Sequence, residues 1–239
     1  MTTRAPQRFK PIAANTAGRR TPRLRASPPD AATNASAAAA IRTLKDEHLA
    51  IASVLFGLQS TVARARAAGA KPDFALLRAL LDYVVAFPER LHHPKESRYL
   101  FAALARRSAQ ATGLIDELDA EHARGARLID DLRVLLDAFQ RDSGKLDAFA
   151  LAVDDYAQFH WRHMEKEEGV LLPLARKHLA AADWERINAA FRDNDNPLRG
   201  LRPKAEIDTL FQRILALMPR ASASSIAPSS SNSRRERPR

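Results

Sequence analysis

Between about residue 40 and residue 217 the apolar positions recur at alternating steps of three and four, the spacing of one face of an α-helix. The first such stretch predicts a helix from Ala40 to Ala68 with Leu44, His48, Ile51 and Leu55 on one stripe, ended by Gly69. Asp73 is placed to cap a second helix carrying Leu77, Leu81 and Val84. Pro88 and Pro94 predict a bend or short break before that helix continues to about Arg107. A third helix is expected from Ala111 to Arg141, with Leu114, Leu118, His122, Gly125, Ile129, Leu132 and Leu136 inward. After a turn at Asp142–Gly144, a fourth runs from Leu146 to Lys177. It turns Phe149, Val153, Tyr156, His160, His163, Glu167, Val170 and Leu174 to the same side, with a kink expected near Pro173. Two shorter helices are expected near Ala182–Phe191 and Lys204–Leu217, around the loop DNDNPLRG, covering an end or side of the rest.

Four amphipathic helices joined by short connections predict an all-α chain, an antiparallel up-down-up-down four-helix bundle with two short C-terminal helices. Composition agrees: apolar residues make up 46% of the 239, and only 8 residues are Gly, leaving few breaks in the helical pattern. There is no Cys, which removes disulfides, thiolate metal sites and cysteine nucleophiles and fits a reducing, cytoplasmic compartment. Any metal must be held by His and carboxylates. No apolar run is long enough for a membrane span.

The net charge of +10 does not belong to the helical region. Residues 1–40 hold seven Arg or Lys against Asp30, and residues 219–239 hold five Arg against Glu236, so residues 41–218 are balanced. The expected organisation is therefore a basic, disordered tail over 1–40, one domain over 41–218, and a second basic, Ser- and Arg-rich disordered tail over 219–239. The first tail is Arg-rich and acid-poor like a transit peptide, but Pro at 6, 11, 22, 28 and 29 interrupts any amphipathic helix. Without aromatic residues among its arginines, the second tail suits weak polyanion contact, and no specific nucleic acid is expected.

What departs from a bundle core is the chemistry on the stripes. His48, His122, His160 and His163 share the inward faces with Glu167, and His92 with Glu96 adds a pair four residues apart. One buried histidine is ordinary. HxxxE occurring twice, with at least one histidine on every stripe, is not, and two ionised glutamates inside a bundle are costly unless a cation neutralises them. An N/O donor set suits iron, manganese or zinc.

The stretches EHLAI at 47–51, FPERLHHPKES at 87–97, EHARG at 121–125, HWRHMEKEEGVLLPLA at 160–175 and FRDNDNPL at 191–198 make the chain resemble the hemerythrin-like family with its HHE cation-binding domain. The likeness spans about Ile41 to Leu217. It implies a non-haem diiron centre, with His48 and His92 resembling ligands of one metal, His122 and His163 ligands of the other, and Glu96 and Glu167 the bridging carboxylates. Iron is what the resemblance favours; zinc or manganese fit the same donors.

Two departures from oxygen-carrying hemerythrins stand out. Their second histidine one turn after the third-helix ligand falls here on Ala126, and their fourth-helix carboxylate is an Asp five residues beyond its histidine, where Glu167 follows His163 by four. His160, one turn before His163, is a candidate to compensate, as ligand or as a neighbour of the site. His93 is expected to be exposed or to sit behind the ligands, Glu47 and Glu121 to face outward, and His178 to be a surface or cap residue. The resemblance implies a protein that binds or senses oxygen, nitric oxide or iron. An enzyme acting on oxygen, peroxide or nitric oxide, and a metal-stabilised structural or partner-binding module, remain the other classes.

Overall fold

The structure, a computed structural model, describes residues 31–68 and 72–192, and these form an all-α bundle. Helix α1 spans Ala31–Ala68. Helix α2 begins as Phe74–Val84 and continues through Val85–His92, His93–Lys95, Glu96–Phe101 and Ala102–Arg107 without leaving a helical path. Helix α3 is Thr112–Arg141, α4 is Leu146–Lys166 with continuations Glu167–Leu171 and Leu172–His178, and α5 is Ala181–Arg192. The Asp73 carboxylate accepts from the Leu76 amide at 2.9 Å, the cap expected for α2. In the α3–α4 turn the Asp142 carboxylate accepts from the Gly144 amide at 2.9 Å. The second short helix expected at residues 204–217, the loop before it, and both terminal tails as far as residue 30 and from residue 193 lie outside the described residues.

The first helix begins at Ala31, not near Ala40. Its alanine run is part of the bundle because Ala37 and Ala40 are buried in one apolar cluster with Trp184, Ile187 and Phe191 of α5. Alanine has the highest helix propensity and the smallest side chain that can pack, so a run of it extends a helix and lets another approach closely. The ion pair of Arg107 with Asp183, 2.9 Å, ties the end of α2 to α5.

Two apolar clusters fill the bundle, one at each end. One contains Leu55, Leu80, Phe87, Leu132, Phe149 and Val153. The other contains Leu44, Leu104, Leu118, Leu171 and Trp184. On α1 and α3 the chain passes from the second cluster to the first, and on α2 and α4 from the first to the second, so successive helices alternate in direction. On all four the crossing between clusters occurs at the histidines and glutamates singled out above.

Both even-numbered helices widen where they carry those residues. The His93 amide bonds to the Pro88 carbonyl, Ala102 to Ser97, and Leu172 to Glu167, each five residues back. Proline has no N–H to give to the carbonyl four residues before it, and Pro88, Pro94 and Pro173 all fall in or beside these stretches. The turn relaxes to i→i+5 bonding, a geometry that recurs at functional sites. Each wide turn holds an extra residue and shifts the phase of the residues beyond it. That shift corrects the expected stripe of α4: Val170 is 48% exposed, and Leu171 and Ala175 are fully buried in place of Val170 and Leu174.

Candidate metal centre

His48, His92, His122 and His163 converge from four helices on the carboxylates of Glu96 and Glu167. The Nε2 of His48 lies 3.3 Å from Glu167 and 3.7 Å from Glu96. That of His92 is 3.3 Å from Glu96, and that of His163 is 3.4 Å from Glu167, each carboxylate being on the histidine's own helix. His122 reaches both, at 3.5 Å to Glu96 and 3.9 Å to Glu167. Both glutamates are essentially fully buried.

Each imidazole is oriented by a partner on its other nitrogen. Nδ1 of His92 donates to Glu47 at 2.7 Å, that of His163 to Glu121 at 3.0 Å, and that of His48 to Glu168 at 3.0 Å. His122 donates to the Ser97 hydroxyl at 3.2 Å, which in turn donates to Asp119 at 2.5 Å. Such carboxylate–imidazole pairs fix the tautomer and leave Nε2 with its lone pair facing the centre, the arrangement found around metal-bound histidines. Lys45 holds Glu168 at 2.8 Å, and Lys166 pairs with Glu121. Glu47 and Glu121 therefore do not face outward as expected. They point across to the neighbouring helix, and Glu47 is only 9% exposed. The signal for them was present: each stands one residue before a site histidine and so on the adjoining flank of the same stripe.

The donor set fits a cation. The Nε2 atoms of His122 and His163 face each other at 3.1 Å, and since Nδ1 carries the proton on both, a proton or a metal ion must lie between the two lone pairs. Two nitrogens at that separation suit two bonds of about 2.1 Å to one ion. Nε2 of His48, Oε2 of Glu96 and both oxygens of Glu167 are buried and make no hydrogen bond, a large cost that coordination would offset. In the metal-free protein, protons partly take that role. Burial works to lower the His122 pKa, but the facing Glu167 and Glu96 outweigh it and push it up to about 9. His48 is likewise held well above its usual range by the same two carboxylates against burial. Burial opposes ionisation of Glu167, yet His122 and His48 keep it well below the ordinary carboxylate range.

Donor atoms from His48, His92 and Glu96 form one compact group, and those from His93, Glu96, His122 and His163 form another. The hemerythrin HHE cation-binding domain matches residues 34–175, more than half of the chain and all of the region that carries these groups. The chain belongs to the hemerythrin HHE family. No curated protein and no solved structure matches it.

In this HHE chain the space beyond His122 on α3 is organised by Gly125. Gly125 is buried, and a Cβ added there would come within 3.3 Å of Glu89 and 3.4 Å of His160. His160, buried to 2% exposure, lies against Tyr156 with ring centroids 4.4 Å apart, and its ring centroid is 6.3 Å from that of His163. It falls outside both donor groups. Burial, reinforced by His163 and His122, drives its pKa down to about 3. His93, expected to be exposed or to sit behind the ligands, is buried, stacked on the His122 ring at 4.2 Å, and one of its nitrogens falls in the second group. Burial and the surrounding imidazoles hold it neutral. Glu89 lies 3.5 Å from both the Tyr156 hydroxyl and Nδ1 of His93, and burial pushes its pKa up to about 7. His178 closes the continuation of α4, half-buried and away from the site. Among the described residues, no helix is long and apolar enough to cross a membrane.

Proposed function

We propose that this HHE protein holds a non-haem dimetal centre, with iron as its metal, and uses it to bind or sense a small diatomic molecule such as O2 or NO, or iron itself. The observation that carries the reading is the inward convergence of four Nε2 atoms on two buried glutamates, each imidazole being anchored through its other nitrogen. His48 and His92 would hold one ion, His122 and His163 the other, and Glu96 and Glu167 would span both, the solution four-helix carboxylate proteins use. When bound, iron in such a centre supplies electrons and open coordination positions for a diatomic ligand.

The chain's own residues make the site reachable and selective. An open cleft of about 580 Å³ between α1 and α4, lined by Lys45, His48, Ala52, Met164, Glu168 and Gly169, leads from solvent to the His48 ring. Its largely apolar walls suit a small uncharged visitor. The second reading, an enzyme turning over oxygen, peroxide or nitric oxide, draws support from Glu89 and Tyr156. They set an acid that titrates near neutrality beside the centre.

The test is anaerobic loading with ferrous iron followed by titration with NO or O2 in a spectrophotometer. Visible absorption that appears with the gas and reverses on its removal supports binding or sensing. Steady consumption of the gas with added reductant supports the enzyme. Iron-loaded protein whose spectrum ignores both gases would defeat the diatomic-ligand reading.

A further inference from the structure

We propose that Tyr156 is a redox-active residue: it gives one electron to the metal centre across the imidazole beside it, while its phenolic proton passes to Glu89. The inference rests on the dimetal reading above and leaves its ligand set as it is. The oxidant is dioxygen, which takes up four electrons and four protons on the way to two waters. Two ferrous ions supply two of the electrons, Tyr156 a third, and an external one-electron reductant such as ascorbate the fourth. Solvent supplies the protons of the waters. At Tyr156 the O–H bond breaks, the proton stays on the Glu89 carboxylate, and a neutral phenoxyl radical remains.

Tyr156, His160 and His163 follow at steps of four and three on the regular part of α4, so they form one ladder on its inner face. The Tyr156 ring centroid is 4.4 Å from that of His160, which is 6.3 Å from that of His163. His160 also lies parallel to His93, at 7° and 5.9 Å, and His93 is stacked on His122, at 11° and 4.2 Å. One or two rings therefore separate the phenol from imidazoles assigned to the metal. The proton has a path as well. The Tyr156 hydroxyl donates to Oε1 of Glu89 at 3.5 Å, and burial pushes the Glu89 pKa up to about 7, making its carboxylate a stronger base than an exposed one. Burial, with Glu89 beside it, holds the phenol well above its usual range, so the electron is drawn from the neutral phenol and the proton must leave with it. Gly125 lets the pair meet, since a Cβ there would come within 3.3 Å of Glu89 and 3.4 Å of His160. At 1% exposure, Tyr156 is also shielded from reductants in bulk solvent.

The chain has three tyrosines, and Tyr83 is the rival. It is buried on α2 and reaches His92 through the Phe87 ring, at centroid steps of 5.6 and 5.9 Å. Distance does not separate the two, but the proton does. Glu47, the carboxylate whose charge acts on Tyr83, already accepts from Nδ1 of His92 at 2.7 Å. Glu89 orients none of the four histidines assigned to the metal and accepts from Tyr156. Tyr99 is half-buried with the Arg98 guanidinium 5.5 Å from its ring, a positive charge that opposes loss of an electron.

The test takes the whole chain, loaded anaerobically with ferrous iron, mixes it with dioxygen and ascorbate, and freezes it for electron paramagnetic resonance. The expected result is a signal at the free-electron position whose hyperfine splitting narrows when ring-deuterated tyrosine is incorporated. Tyr156→Phe should abolish the signal, with iron uptake and helical content by circular dichroism unchanged, and Tyr83→Phe should retain it. Glu89→Gln should slow its appearance by about 100-fold or more, because the proton has lost its acceptor. Wild-type protein that takes up iron and gives no tyrosine-derived signal overturns the proposal, whatever any variant does. So does a signal that survives Tyr156→Phe, disappears in Tyr83→Phe, or forms at the wild-type rate in Glu89→Gln. Wild-type protein that takes up no iron contradicts the underlying dimetal reading itself and removes the basis of the proposal, a result distinct from an absent radical.

Discussion

Nδ1 of His92 donates across the helix interface to Glu47, 2.7 Å away on α1. The same relationship links His163 on α4 to Glu121 on α3, at 3.0 Å. In each half of the bundle a Glu-His pair on the odd helix faces a His-x-x-x-Glu on the even one, and the acid beside one histidine orients the histidine of the other helix. The halves differ one residue past the central glutamate. Glu168 accepts directly from His48, whereas Ser97 hands the role to Asp119 through its hydroxyl.

Glu47→Gln keeps the size of the side chain but replaces a charged acceptor with a neutral one. The fold should survive, and retention of one metal ion should weaken by about 10- to 100-fold, read by competition with a chelator of known affinity. Glu121→Gln should do the same to the other ion. Unchanged retention in both variants would mean that these acids do not tune the centre.

Glu167 has two buried oxygens without hydrogen bonds and stands near three of the histidines. Glu167→Ala should lose at least one ion per chain, and the rise in melting temperature on metal loading should shrink with it, because stabilisation by a ligand follows its affinity. Metal content equal to wild type would refute a spanning role for Glu167.

The phase shift on α4 is testable without any metal. Leu171→Ala removes a fully buried side chain and should cost about 2–5 kcal/mol. Val170→Ala, at a half-exposed position, should change stability by no more than about 0.5 kcal/mol. Urea denaturation of the metal-free variants measures both, and equal losses would contradict the wide turn.

The helices, their order and six of the central side chains were legible because period and residue type carry them. His48, Ile51 and Leu55 on α1, or Phe149, Val153 and Tyr156 on α4, fall where regular spacing puts them. Regular spacing fails where bonding becomes i→i+5. A proline announces a disturbed turn but not whether the helix breaks, kinks or widens, so regular spacing puts Val170 inside in place of Leu171 and does not decide between an exposed His93 and one buried behind the ligands. The start of α1 was missed for another reason. An alanine run looks the same in a tail and in a helix, and only Trp184 and Phe191 packing over it decide the matter. The inward turn of Glu47 depends on which helix lies beside α1, which α1 alone does not encode.

Metal-free stability should have a maximum near neutral pH. The His122 pKa rises on folding from about 6.5 to about 9. Its contribution is therefore complete below the unfolded value and is lost as pH climbs through the folded one. His160 works in the opposite sense, its pKa lowered on folding to about 3. The unfolded chain takes up a proton below about 6.5 that the folded chain refuses, and stability falls with acid. Metal loading displaces the protons on His48 and His122, so the decline above pH 7 should disappear in the loaded protein. Melting curves across pH 5–10, with and without metal, check both limbs; an unchanged alkaline decline on loading would count against metal at these histidines.

The most direct measurement is the metal content of the purified chain after anaerobic reconstitution with ferrous iron, compared between wild type and Glu167→Ala. The account predicts about two irons per wild-type chain and no more than one in the variant. Wild-type protein that remains folded and retains no iron, or a variant that retains as much as wild type, would contradict it.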